Sequence, residues 1–363
     1  MFKDIKMVYT TYFMFFAFVS LHLHYLSVVV CQNPSSVPAV YVFGDSLVDC
    51  GNNNYLVTLN MVNYYPYGAD FPGGATGRYT NGRTVPDIVG LPFPPAIKSL
   101  DLQSFRSLTG VNYASGGGGI LEVSGRHFLQ VISFSQQIKL FQDTIEQTLQ
   151  QQFEGPEELQ RYLSQSIFVV TIGNNDYINN YLLPNLYDTS KIFTPQTYAS
   201  YLMKTLSPLL ERLYNLGARK IAVSQIGPLG CIPRRRLKPS YQCAEDVNQL
   251  ASYFNNLLPE TLERLTYDLP GLMFTVVKTY DAIQDMIEYP SKYGFVDVEH
   301  PCCLAGEKQM LCTRNLLPCP NPDQHLWWDG YHPTQMAYSI IARDCYNGTT
   351  TCSPTNIVDL IRA

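Results

Sequence analysis

Short apolar runs alternate along the chain with longer stretches that are apolar on one helical face. Residues 39–44 (AVYVFG), 111–114, 167–172, 220–224 and 273–277 read as strands. Several are nearly continuous apolar runs, as expected of strands covered on both faces. Between them, Ile138, Phe141, Ile145 and Leu149 share one helical face. Leu202, Leu206, Leu210 and Leu213 share another, with Gly217 as the stop signal. Val247, Leu250, Phe254, Leu258, Leu262 and Leu265 make a third. This alternation predicts βαβ units: an α/β fold with a parallel sheet and helices on both faces. Ligands of such sheets bind beyond the carboxyl ends of the strands.

The segments at those ends are polar or glycine-rich. The first strand runs into Gly44-Asp45-Ser46, and 112–119 reads NYASGGGG. Residues 171–177 read TIGNNDY, and 328–334 read WDGYHPT. A serine hydroxyl is a weak nucleophile at neutral pH and needs a base, which in turn needs an orienting acid. Asp329 and His332 are three residues apart, so a turn can bring the carboxylate to the imidazole. Pro333 suits the first position of a helix, and Met336, Ile340 and Ile341 continue an apolar face. Acyl transfer also needs donors for the developing oxyanion. The amides of Ser46 and Gly116 and the side chain of Asn175 are candidates, with Gly117 one step from Gly116. Each segment alone also reads as an ordinary turn, and Asp329 and His332 as a loop acid and a capping residue. The glycine run fits neither a Walker loop nor GxGxxG, which argues against nucleotide.

Composition narrows the classes. Of 363 residues, 46% are hydrophobic and 15% charged, enough apolar material for a sizeable core. The net charge of −5 argues against nucleic acid as a partner. The one basic cluster, Arg234-Arg235-Arg236 with Lys238, reads as a solvated loop between prolines. Lys3 and Lys6 precede an apolar stretch at 8–30, and Val29 and Cys31 suit a cleavage site. Residues 1–31 thus read as a secretory signal peptide, with an uncleaved anchor as the alternative. Residues 32–363 read as a single domain, secreted and without a stable membrane span after cleavage. In a secreted chain the ten cysteines point to disulfides stapling a proline-rich C-terminal loop. Metal ligation is the rival, but the spacing forms no paired ligand knuckles. Without Cys31 nine cysteines remain, so at least one thiol is unpaired. Asn347-Gly348-Thr349 is a glycosylation sequon.

FGDS, the glycine segment after Asn112, GxND and DxxH, in this order, resemble the four blocks of the SGNH hydrolases, and the longer stretches VYVFGDSLVDCGNNN, NYASGGGGIL, TIGNNDY, IGPLGCIP and WDGYHPT carry a narrower likeness. More narrowly, nearly the whole chain after residue 31 resembles the plant GDSL esterase/lipase family. The resemblance implies a three-layer α/β/α, flavodoxin-like fold with a five-stranded parallel sheet. It implies Ser46 as nucleophile and oxyanion donor, Gly116 and Asn175 completing the oxyanion hole, and Asp329 and His332 completing a triad. It implies hydrolysis of carboxylic esters of small or polymeric substrates, without metal or organic cofactor. A secreted acyltransferase on the same triad, or a catalytically silent cell-wall binding protein, are the alternatives. Cys50, Pro301 and Trp327 depart from the family's usual residues, and Cys50 has no evident partner in the sequence.

Overall fold

The computed structural model describes residues 37–88, 93–106, 108–303 and 310–363. The leader 1–31, with Cys31, lies outside them. Four parallel strands form the centre: β1 (Val40–Gly44), β2 (Ile167–Thr171), β3 (Lys220–Ser224) and β4 (Met273–Val277), adjacent in chain order. A helix returns the chain between each pair. These are α1 (Phe134–Gln147) and α2 (Pro156–Gln165), then α3 (Pro195–Asn215), then α4 (Glu245–Asp268). The predicted helical faces are the buried ones: Ile138, Phe141, Leu202, Leu210 and Leu258 have no exposed surface.

Alternation along β1 shows why both faces are covered. Tyr41 and Phe43 stack among Phe141, Phe168 and Tyr113 at ring separations of 5.0 to 5.8 Å. Val40 and Val42 point the other way, into a cluster with Ile167, Val169 and Leu360. Leu360 belongs to the C-terminal helix, Ile357–Arg362, which packs against β3 and β4. Helices thus cover both faces of the sheet, as a doubly wound arrangement requires.

Two details differ from the sequence expectation. Residues 111–114 do not form a regular strand, although the segment runs beside β1. Val42 N–H donates to Val111 O, and Tyr113 N–H donates back to Val42 O. The next rung is missing because Gly44 N–H donates to Gln137 Oε1 instead of to the Tyr113 carbonyl, which interrupts the ladder. The fifth strand is instead Cys352–Ser353, antiparallel to β4. It follows the helix α5 (Gln335–Asn347) through a short turn closed by Cys345–Cys352, with no crossover to make it parallel.

The remaining disulfides are Cys231–Cys243, Cys302–Cys319 and Cys303–Cys312. The C-terminal loop is stapled as expected, and Cys50 is the free thiol among the described residues. The basic cluster is not a uniformly solvated loop. Arg236 is buried and donates to the carbonyls of Cys231, Tyr241 and Val298. Five donors in a rigid fork suit this capping of loop carbonyls.

Candidate active site

The register of β1 on β2 pairs Gly44 with Thr171. The turns after both strands therefore leave the sheet side by side. Asp45 N–H donates to Thr171 O across the gap. Gly44 has φ +156°, and a Cβ there would lie 2.3 Å from Thr171 O. Only glycine allows the strand to end this close to its neighbour. The next two residues place Ser46 at the carboxyl edge. The 111–115 segment flanks β1 on its other side, with Ser115 N–H on Gly44 O, and delivers the glycines to the same edge.

Ser46, His332 and Asp329 come together from opposite ends of the chain. His332 Nε2 lies 2.8 Å from Ser46 Oγ, and His332 Nδ1 lies 2.8 Å from both Asp329 oxygens. The Asp329 carboxylate is fully buried. Its Oδ1 accepts the N–H groups of Tyr331 and His332, each at 2.8 Å. The turn that joins the pair is closed by Trp328 N–H donating to His332 O. Gly330 is needed in it because a Cβ there would meet Met310 O at 2.9 Å. Helix α5 starts two residues later than the sequence suggests. Thr334 is its N-cap, accepting from Ala337 N–H, and Pro333 precedes the cap. Thr80 Oγ1 donates to Pro333 O, and Tyr79 lies 5.0 Å ring to ring from His332.

Asn175 lines the cavity beside Ser46. One hydrogen of its NH₂ goes to Gly118 O, and the other has no acceptor among the described residues. Its Oδ1 accepts from Asn179, which fixes which end of the amide is the donor. Neighbouring Asn174 lines the same cavity, donating to Asp45 and accepting from Gly227 N–H. Gly116 does not fit the expectation. Its N–H donates to Asp49 Oδ2 at 2.9 Å and is not free for a ligand. Gly117, in the left-handed region at φ +86°, has an N–H that no protein acceptor takes among the described residues. The same holds for the Ser46 N–H.

Buried carboxylates tie these turns together. Asp45 accepts from Leu47 and Asn174. Asp49 accepts from Gly51, Asn52 and Gly116. Asp176 accepts from Ile120, Leu121 and Ser124, clamping the glycine loop to the TIGNNDY turn. Burial pushes all three up to about 6, against these hydrogen bonds. Asn52 and Asn53 add the carbonyls of Asn112, Ala114 and Gly116. Cys50 sits among them, its thiol 3.5 Å from Pro94 O and driven to a high pKa by burial, so it is chemically inert.

A cavity of about 310 Å³ opens on Ser46. Its walls include Ile178, Leu229, Ile232, Ile283 and Ile341, and its polar groups are mainly Asn60, Asn175, Asn179 and His127. Sequence reasoning missed Tyr67, whose hydroxyl donates to Asp329 Oδ2 at 2.6 Å. The stretch YYPYG around it carries no spacing that singles out one tyrosine among 26.

Residues 40–345 match the family described as GDSL-like lipase/acylhydrolase. The chain is 42% identical over 337 residues to GDSL esterase/lipase 7 of Arabidopsis thaliana, covering 90% of this chain and 92% of the relative. A second GDSL esterase/lipase of that plant is 40% identical over 345 residues, covering 91% and 92%. A third is 40% identical over 345 residues, covering 91% and 89%.

Proposed function

The chain belongs to the GDSL-like lipase/acylhydrolase family and is an ester hydrolase, and we propose that it cleaves carboxylic esters through Ser46, His332 and Asp329. The observation that carries this reading is the unbroken chain from Ser46 Oγ to His332 to Asp329, at 2.8 Å per step, on the floor of an apolar cavity. His332 Nε2 takes the Ser46 proton as Oγ attacks the ester carbonyl. The buried Asp329 holds the proton on Nδ1 and stabilises the imidazolium that forms. The developing oxyanion is met by the Ser46 N–H, the Gly117 N–H and the second amide hydrogen of Asn175. Collapse expels the alcohol, protonated by His332. Water activated by the same imidazole then releases the acid. The acyl group lies along Ile178, Leu229 and Ile283.

We further propose that residues 32–363 are a secreted enzyme. Four disulfides suit an oxidising compartment, and the sequon Asn347 is exposed at the end of α5. A fluorophosphonate probe tests the mechanism. It labels the wild type and not Ser46→Ala, and absence of labelling in the wild type sinks the proposal. Product analysis with added alcohols separates release of free acid, the expected outcome, from acyl transfer.

A further inference from the structure

Asp329 is buried without a cationic partner apart from His332 among the described residues. The titratable groups that face it and His332 are Asp45, beneath Ser46, and five tyrosines: Tyr64, Tyr67, Tyr79, Tyr331 and Tyr338. Arg234 and Arg235 interact with Tyr331, and Arg314 lies over the Tyr64 ring. Of the five hydroxyls, only that of Tyr67 hydrogen-bonds the carboxylate. Tyr64 donates to Cys312 O and Tyr79 to Asn60 O, while the Tyr338 hydroxyl has no partner among the described residues. Tyr67 is 1% exposed, and its ring is fixed edge-on between Tyr64 and Tyr79. Its oxygen also accepts the N–H of Cys312 at 3.1 Å, and Cys312 is tied to Cys303. Burial and the neighbouring Asp329 charge raise its pKa well above the tyrosine range, so it remains a donor.

We propose that Tyr67 is a positioning residue of the reaction. Its hydroxyl holds Asp329 Oδ2 and thereby sets both the orientation and the basicity of His332. The proposal rests on the reading of Ser46, His332 and Asp329 as the reacting groups. The physical reason is the division of labour on the carboxylate. Backbone N–H groups hold Oδ1, whereas among the described residues Oδ2 has only the imidazole and Tyr67. Without the hydroxyl, a buried anionic oxygen faces the imidazole alone, and the Cys312 N–H loses its acceptor as well. Charge then concentrates on Oδ2, which faces the imidazole. That favours the imidazolium, so the His332 midpoint rises. A stronger donor at position 67 withdraws charge from the carboxylate and lowers it.

The test pairs two variants with opposite signs. Tyr67→Phe raises the acid-limb midpoint of kcat/KM by roughly one pH unit and lowers kcat about tenfold, with KM little changed. Site-specific replacement of Tyr67 by 3-fluorotyrosine keeps the hydroxyl and the fold, strengthens the donor, and moves the midpoint down. An NMR titration of the His332 ring, in a Ser46→Ala background, reads the same two shifts without turnover. Shifts by NMR without ester hydrolysis in the wild type uphold the role of Tyr67 and refute the esterase mechanism. A His332 midpoint unmoved in both variants overturns the proposal, whatever happens to stability.

Discussion

At the scale of single residues, the site is decided by which polar groups are already taken. Asn174 and Asn175 are adjacent, both line the cavity and each spends one amide hydrogen, on Asp45 and on Gly118 O respectively, so they differ in what anchors them. Gly116 and Gly117 differ in availability, since Asp49 claims the first N–H. On the proposed role of Asn175 as oxyanion donor, Asn175→Ala is expected to lower kcat by about 10²–10³ with little change in KM. Steady-state kinetics on a soluble ester checks this. The expected loss on Asn174→Ala is of another kind: a drop in unfolding free energy, because Asp45 and the Gly227 N–H each lose a partner.

At the scale of elements, the strand register does most of the assembly. Pairing Gly44 with Thr171 delivers two of the four polar turns to one edge, and the 111–115 segment on β1 delivers the third. The fourth is held by α5 and its cap. Thr334 is fully buried, and its hydroxyl both accepts from Ala337 N–H and donates to His325 O. Thr334→Ala is expected to cost about 1–2 kcal/mol in urea unfolding. It is also expected to lower kcat, since His332 stands two residues before the cap and loses part of its support.

At the scale of the whole molecule, three carboxylates buried at the catalytic edge couple stability to pH. Asp45, Asp49 and Asp176 are pushed up to about 6, against an ordinary value of 3.8. A raised folded pKa favours the protonated form of the native state. The stabilisation is complete below about 3.8 and is lost as pH rises through 6. Each group contributes about 1.4 kcal/mol per pH unit inside that window. Unfolding in urea at pH 4.5 and pH 7 is expected to show the protein more stable at the lower pH. Asp176→Asn removes one of the three groups, so the difference between the two pH values becomes smaller. An equal difference in wild type and variant contradicts the assignment.

The sequence by itself determined the four central strands, the buried helical faces and the choice of Ser46, Asp329 and His332 as candidates, which the fold brings within hydrogen-bonding distance. Apolar periodicity reports burial directly, and a reacting group must be of one residue type wherever it stands. Ser46, alone a fair turn residue, became a nucleophile candidate because three distant segments supplied what a serine needs. The tertiary structure decided what depends on competition among neighbours. It gave the Gly116 amide to Asp49, left that of Gly117 free, moved the start of α5 to Thr334, and turned the last strand antiparallel. It also explained Cys50, a buried and inert thiol packed among the clamps that follow Ser46. Tyr67 was illegible for the same reason. Its contact with Asp329 spans 262 residues and exists only once the chain has closed around the carboxylate.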